Sequence, residues 1–296
     1  MKFGVREICD VVFKAKSAGK VGSMPVVEGQ PVLYIDSAKT STLEGAATAV
    51  YAQGGRGNAR LISWEGEKTL TFTVEDALLS PIGFSILSGA GLLSNEAETV
   101  HVHATANAHA GSDGKIDLTD VLGADEEIDG TAPVFVMTME EGSITGMVKD
   151  ATIEGKVITA EGAKDKDVFV DFYVLKASKV TELQIDAENF AGNYYVEAST
   201  LFRRESDGKD LPAEITLPNV KIQSNFTFSM ASTGDPSTFT FTMDAFPGYT
   251  AFDRTKKVLC VIQVVEDAAN ANKDAKTVMG HVEGEKADGD SYTPAA

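Results

Sequence analysis

The stretch PNVKIQSNFTFSMASTGDPSTFTFTMDAF, residues 218–246, decides the fold class. Apolar residues recur at every second position in two runs, interrupted once by Ser224: Val220, Ile222, Phe226, Phe228, Met230 and Phe239, Phe241, Met243, Ala245. This alternation predicts two half-buried antiparallel strands, and Gly234-Asp235-Pro236 predicts the turn between them. The apolar face of a lone hairpin needs a partner layer, so the stretch indicates a mainly β protein with further strands.

The charge of the chain is strongly acidic and unevenly placed. The 296 residues include 26 Lys and Arg against 44 Asp and Glu, a formal net charge of −18. Residues 111–171 alone hold 15 acidic and 5 basic residues, which indicates a separate, heavily solvated piece. Such a balance argues against a protein that binds nucleic acid generally or an anionic membrane surface, because both need a basic face.

The two cysteines and the chain start favour a cytoplasmic, reducing origin. Cys9 and Cys260 sit in apolar surroundings near opposite ends, which predicts inert thiols rather than a disulfide framework or a zinc site. Whether they oxidise together between subunits stays open. The first residues lack a signal-peptide apolar region, and no window approaches about 20 apolar residues, so we expect synthesis in a host cytoplasm and no membrane partner.

Residues 1–97 predict strands, one helix and one long loop. The strands are expected over Arg6–Lys14, Pro31–Asp36 and Ser63–Val74, the last headed by Trp64 as a core or interface anchor. Ser80 is a plausible N-cap, with Pro81 at the first helical position and Gly89 at the C-terminal end.

The segment Thr40–Arg60 is polar and glycine-rich and shows no helical or strand period, so we expect a long functional loop. Its glycines lack the Lys-Ser/Thr and the strand-to-helix context of a phosphate-binding loop. A flexible arm that contacts a neighbour is therefore the better interpretation.

The rest of the chain predicts an inserted domain followed by a return to the first pattern. Residues 98–180 contain short strands separated by Gly and Asp turns, typical of an acidic β domain. Residues 181–265 return to long strands and complete a discontinuous core with 1–97. Within them, Lys257–Val265 is a continuous apolar run, which favours a strand buried on both faces or one at a subunit boundary. Residues 266–296 read as a poorly packed acidic tail.

The residues that could carry chemistry do not form a recognisable site. His101 and His103 share a strand face with His109 nearby, but no further ligand at diagnostic spacing completes a metal site, and surface histidines are the simpler interpretation. Acidic pairs such as Glu140-Glu141 lack the EF-hand pattern, so calcium in irregular loops is a minor alternative. No nucleophile motif is present. We expect no enzyme, no cofactor and no resident metal.

Two blocks carry a family resemblance. Residues 61–91, LISWEGEKTLTFTVEDALLSPIGFSILSGAG, preceded by VLYID and the glycine-rich arm, resemble tail tube proteins of contractile-tailed, myovirus-type bacteriophages. Residues 185–246 resemble the closing half of the same family in the order of their turns and strands. The two blocks cover roughly half of the chain, while 98–180 matches less distinctly.

The resemblance implies a fold and an assembly. It implies an antiparallel β-sandwich or half-barrel with one flanking helix, joined edge to edge into hexameric rings that stack into a tube. Tail sheath, baseplate and tape-measure proteins would be its partners in the virion, and DNA would pass through without specific binding. It implies an inter-ring arm formed by Thr40, Leu43, Tyr51, Gly54, Gly55, Arg56 and Arg60. It also implies a polar inner wall formed by Lys221, Gln223, Asn225, Thr227, Thr238, Thr240, Thr242 and Asp244.

The inner sheet is then expected to include strands within 64–74, 194–202, 220–230 and 237–246, with 98–180 outside the tube wall. Two other functions remain open on the sequence. One is a capsid decoration or baseplate protein built on a similar β module, and the other is a calcium-dependent carbohydrate-binding or adhesion protein.

Overall fold

The computed structural model describes residues 2–21, 24–94, 100–123, 126–176, 180–185, 187–227, 230, 232–233 and 237–266. In chain order, the first strands are β1 (Phe3–Val5), β2 (Asp10–Ala15), β3 (Gly19–Val21), β4 (Met24–Val26), β5 (Pro31–Ile35), β6 (Ala38–Gly54) and β7 (Ala59–Asp76). Helix α1 (Pro81–Ser88) comes next, followed by β8 (Gly91–Ser94). They are followed by β9 (Val100–His109), β10 (Lys115–Asp117), β11 (Glu127–Ile128), β12 (Phe135–Glu140), β13 (Ser143–Val148), β14 (Thr152–Glu154), β15 (Val157–Thr159) and β16 (Asp167–Lys176). The last strands are β17 (Thr181–Gln184), β18 (Asn193–Arg204), β19 (Asp210–Ile222), β20 (Phe239–Ala245) and β21 (Val261–Val264).

The chain forms two compact units, the first from the described residues of 1–92 and 183–296 and the second from those of 93–182. The first unit is built on an antiparallel sheet in the order β5-β2-β18-β19-β20-β7-β6, with β1 on β18 and β21 on β19. Within the described residues, β5 and β6 each pair with one strand only, so the sheet stays open. The predicted mainly β, antiparallel fold with one short helix is confirmed.

The core of the first unit lies on one face of this sheet. Alternate residues of β2, β18 and β20 point into it, as the period of two requires. Phe13, Phe72 and Phe241 are fully buried, and the rings of Phe13 and Phe241 lie 5.9 Å apart. Tyr194 packs edge-on against Phe13, and burial raises the pKa of its phenol to about 12.

Helix α1 begins and ends at the predicted residues. The Ser80 hydroxyl accepts a hydrogen bond from the Gly83 amide at 3.0 Å, and Pro81 occupies the first turn. Gly89 ends the helix with φ of 75°, and a Cβ there would lie 2.5 Å from the carbonyl carbon of Phe190, so only glycine fits. Ile86 and Leu87 belong to the core cluster of the sheet, which fixes the helix on its face.

The hairpin predicted over residues 218–246 is only partly present. β20 confirms the second strand, but β19 ends at Ile222, so the predicted first strand over 220–230 is wrong beyond that residue. The side chain of Phe226 is 37% exposed, and its ring makes a T-shaped contact with that of Phe84, with the centroids 4.9 Å apart. Residues 228, 229 and 234–236, with the predicted turn, lie outside the described residues.

The neighbours of β20 explain this difference. β20 pairs with β19 over three residues, Val220–Ile222, but with β7 over six, from Phe239 opposite Asp76 to Asp244 opposite Thr71. The main partner of the predicted second strand is therefore remote in sequence.

The segment predicted as a loop over 40–60 consists of two strands, so that prediction is wrong. β6 and β7 pair antiparallel from Ala38 opposite Asp76 to Gly54 opposite Ala59, with three irregularities. Gly55 and Gly57, at φ of 79° and 93°, form the turn between them. The predicted strand over Ser63–Val74 is confirmed and extends over Ala59–Asp76.

Of the two alternatives for Lys257–Val265, a strand buried on both faces is wrong, while a strand at a subunit boundary stays a prediction. Only Val261–Val264 form a strand, and the side chain of Ile262 is 51% exposed. Cys9 comes just before β2, which pairs with β18, and Cys260 comes just before β21, which pairs with β19. The two cysteines therefore lie next to strands that are not neighbours in the sheet. Both thiols are free, and burial raises the pKa of each, that of Cys260 to about 11. The tail beyond residue 266 lies outside the described residues.

The second unit is a small β structure with its own core. β16 pairs with β9 over ten residues and also with β12 and β11. β14 and β15 form a hairpin, and β15 also pairs with β10. Val168, Val170 and Phe172 of β16 are fully buried in a cluster of Ala, Ile, Leu and Val side chains.

Candidate functional site: assembly surfaces

The face of the main sheet opposite the core carries a regular array of hydroxyl and carboxylate side chains. Register places three residues side by side on β6, β7 and β20 in each of three rows: Thr40–Glu75–Thr240, Thr42–Thr73–Thr242 and Glu44–Thr71–Asp244. We call these nine residues the Thr/acid ladder. The ladder contains three carboxylates and no cation, and Lys221 of β19 lies opposite Asp244 at its end.

Hydrogen bonds hold the carboxylates of the Thr/acid ladder in place. Glu75 accepts from the hydroxyls of Thr238 at 2.5 Å and Thr40 at 3.1 Å. These bonds, that of Thr238 first, lower the pKa of Glu75, so it is ionised at neutral pH. Asp244 accepts from Thr71 at 3.2 Å and from the Gln223 side-chain amide at 2.9 Å. The surface is therefore ordered and net negative.

The structure brings together only part of the predicted inner wall. Thr240, Thr242, Asp244 and Lys221 share the polar face, and Thr238 joins it through its bond to Glu75. Gln223 lies beyond the end of β19, although its amide still donates to the Thr242 carbonyl at 2.9 Å. Asn225 and Thr227 are exposed and lie on no strand, and their place in an inner wall stays a prediction.

Other members of the ladder were missed from the sequence. Thr71, Thr73 and Glu75 alternate with the buried Phe72 and Val74, and this signal was available in the predicted strand. Thr42 and Glu44 lie in the segment predicted as a loop, and nothing local shows that they face the same way. Only the pairing of β6 with β7 reveals it.

The polar face continues across the other strands with paired charges. Lys14 of β2 contacts Glu197 of β18 at 2.5 Å. Glu214 of β19 is half-buried nearby, and its pKa is raised by burial and then by the Glu197 carboxylate.

The outer part of the β6–β7 hairpin, residues 45–69, projects from the core. None of these residues is buried within the subunit. We call it the projecting hairpin. Its ten residues on β6 span roughly 30 Å at about 3.3 Å per residue.

The projecting hairpin carries apolar side chains that are open to solvent. Val50 pairs with Trp64 and Ala52 with Ile62, so these four share one side of the ribbon. Trp64 is 54% exposed, which excludes the predicted alternative of a core anchor. A two-stranded ribbon is marginally stable alone in water, so this surface is suited to a partner.

The predicted arm residues divide between the base and the tip of the hairpin. Leu43 packs against the core and Thr40 belongs to the ladder, so neither lies on the projecting hairpin. Tyr51, Gly54, Gly55, Arg56 and Arg60 do lie on it. The guanidinium of Arg60 lies 4.1 Å from the centre of the Tyr51 ring, a cation–π contact.

The histidines of the second unit each contact a carboxylate. His101 contacts Asp129 at 2.6 Å, His103 contacts Asp171 at 3.1 Å and His109 contacts Asp167 at 2.8 Å. Asp129 is buried and also accepts two hydrogen bonds from Thr131, which are the first cause of its lowered pKa. In the described residues, no three His, Cys, Asp or Glu side chains come close enough to hold a metal ion.

Within the described ranges, no helix is long and apolar enough to cross a membrane. A family model described as the YomU/Tube protein family matches residues 3–258, and thus both units. No curated protein matches the chain significantly.

Proposed function

Because the chain belongs to the YomU/Tube protein family, a family of phage tube-type structural proteins, we propose that it is the tube subunit of a contractile phage tail. In this proposal, subunits form hexameric rings that stack into a tube, and the lumen conducts DNA during ejection. The protein is a component of the virion and not an enzyme. Its partners are further copies of itself and the tail sheath, baseplate and tape-measure proteins.

The observation that carries the proposal is the Thr/acid ladder on an open sheet. Its carboxylates lie among hydroxyls with no cation within the nine residues, and it spans the three strands at one end of the sheet. A surface of this kind offers phosphates no counter-charge, so DNA could slide past without being held. The ladder is the inner wall in our proposal.

The open edges of the sheet support a ring. Unpaired edge strands expose backbone donors and acceptors, and closed assemblies satisfy them by joining edges. Within the described residues, β5 at one end and β6 at the other end each lack a second neighbour. Joining the β5 edge of one subunit to the β6 edge of the next would continue the sheet around a lumen.

The projecting hairpin is the inter-ring arm in this proposal. The side chains of Val50, Ile62 and Trp64 are exposed on the projecting hairpin, and they become buried only if another molecule covers them. The placement of residues 98–180 outside the wall of the tube stays a prediction.

Negative-stain electron microscopy of the purified full chain tests the proposal. We expect hollow rods, or six-fold rings of matching diameter, at concentrations where a decoration or baseplate protein gives only discrete particles. Rings without six-fold symmetry, or no assembly over the accessible concentrations, would contradict it.

The arm is tested by Trp64→Ala, with Leu78→Ala as the matched control because Leu78 is also exposed but lies off the hairpin. We expect Trp64→Ala to leave rings but shorten or abolish rods, while Leu78→Ala assembles like the wild type. Equal rod lengths for all three proteins would remove the arm from the proposal.

A further inference from the structure

A closed loop over residues 248–258 of the first unit is held by its own hydrogen bonds. Gly248 and Val258 exchange two backbone bonds, of 3.0 and 2.9 Å, which close the loop at its base. Inside it, Asp253 accepts from the amide and hydroxyl of Thr255, at 2.8 and 2.5 Å, and its own amide donates to the Thr250 hydroxyl at 3.0 Å. The loop is therefore built to hold one shape.

This loop presents a phenylalanine to solvent. The side chain of Phe252 is 98% exposed, more than any other large apolar side chain in the described part of the chain. A rigid loop that exposes an aromatic ring has the features of an interface anchor, because binding buries a large apolar area at little cost in ordering.

The charge around Phe252 differs from that of the rest of the chain. Arg254, Lys256 and Lys257 follow it, against the single carboxylate of Asp253, in a chain of net charge −18. The ammonium group of Lys257 also lies 5.5 Å from the centre of the Tyr249 ring. The loop is thus a basic and aromatic surface on an acidic protein, and its charge is complementary to that of an acidic surface.

The position of the loop indicates which acidic surface it meets. The Ala251 amide lies 3.4 Å from the hydroxyl of Tyr195, a residue on the polar face of the sheet, so part of the loop lies beside that face. Thr250 and Arg254 line the same cleft as Glu28 and Gly29, which precede the edge strand β5. The loop therefore lies near the β5 edge.

At the opposite end of the same face lies the Thr/acid ladder. Glu44 on the edge strand β6 is exposed there, in one row with Asp244. We propose that the 248–258 loop of one copy docks at the β6 edge of the Thr/acid ladder of a second copy, with Phe252 as the anchor and its cations facing Glu44, so that the ladder residues of β7 and β20 stay open to the lumen. This inference rests on the proposed ring, in which the β5 edge of one copy meets the β6 edge of the next.

These observations indicate a second copy of the chain as the binding partner of the loop. A second copy supplies carboxylates, hydroxyls and an open strand edge on the polar face beside which part of the loop lies. The contact would neutralise cations that otherwise stand near the lumen, so it agrees with a channel that does not hold DNA.

Sedimentation velocity of the full chain over a concentration series tests the contact. We expect Phe252→Ala to raise the concentration needed for ring formation roughly tenfold or more, as for an interface anchor. Phe252→Leu, which keeps an apolar group, is expected to lose less. Phe190→Ala is the matched control, since Phe190 is 69% exposed in the same unit but lies off the loop, and we expect at most about a twofold change.

A charge exchange tests the partner surface. Lys256→Glu and Glu44→Lys should each weaken ring formation, and the double variant should recover most of the loss, because the two charges then attract again. Unfolding midpoints should be unchanged, since both side chains are exposed.

Each outcome separates the two proposals. If the wild type forms rings and Phe252→Ala forms them equally well, or the double variant is no better than either single one, the loop contact is wrong and the tube proposal stands. If the wild type forms no oligomer, both are wrong. If Phe252→Ala and Phe190→Ala weaken assembly equally, the loop has no special role.

Discussion

The two ends of the β6–β7 hairpin have the same backbone pairing and different surroundings. At its base, residues 38–44 and 70–76 place Phe72 and Val74 in the core and threonines on the polar face. At its tip, the projecting hairpin has both sides open to solvent and exposes Val50, Ile62 and Trp64. Both ends of the hairpin have the antiparallel backbone pairing of β6 with β7.

This difference shows what each end requires. The base is complete within one subunit, because its apolar side chains are already covered. The tip has the same pairing but no cover, and a two-stranded ribbon of this length has little stability of its own. We infer that the base determines the stability of the subunit and the tip determines the stacking of rings.

The largest expected effect is at the base. Phe72→Ala removes a fully buried ring, so we expect it to lower the free energy of unfolding of the first unit by about 3–5 kcal/mol. Urea unfolding of dilute protein, followed by far-UV circular dichroism, measures the change. A loss below about 1 kcal/mol would mean that the base does not carry the core.

A smaller effect is expected at Leu43, where the hairpin leaves the core. Leu43 is partly buried against the core cluster, so Leu43→Ala is expected to cost about 1–2 kcal/mol in the same measurement, less than a fully buried leucine. The variant should still assemble once folded. Normal stability with lost assembly would instead support the role that the resemblance implied for this residue.

The smallest effect on unfolding is expected at the tip. Trp64→Ala should change the free energy of unfolding by no more than about 0.5 kcal/mol, because the indole is half exposed and lies off the core. Leu78→Ala is the control at an exposed site. A loss comparable to that of Leu43→Ala would show that the tip packs within its own subunit and would break the comparison.

Burial decides which of these strands could be predicted from sequence. Residues 70–76 are covered on one face only, and selection for a buried face leaves the Leu-Thr-Phe-Thr-Val alternation that predicts a strand. Residues 45–54 are open on both faces, so no alternation was required and the segment resembles a loop. Strand prediction by period fails where a strand has no buried side.

The candidate site follows the same rule. Thr240, Thr242 and Asp244 were predicted as one polar face because they alternate with buried neighbours. Glu44 and Thr42 could not be assigned to it, since their place depends on register with a strand about 30 residues away. The exposed ring of Phe252 could not be predicted from the sequence, because the exposure of Phe252 depends on the Gly248–Val258 pairing that closes the loop.

Local features of the sequence predict the mainly β class, the caps of helix α1 and the acidic character of the central segment. These depend on local spacing, local capping chemistry and composition. The pairing of remote strands was needed to establish that β19 ends at Ile222, that β20 pairs chiefly with β7, and that three strands align their hydroxyls and carboxylates in rows. Sheet pairing joins residues far apart in the chain, and its register depends on how all the strands together cover one core.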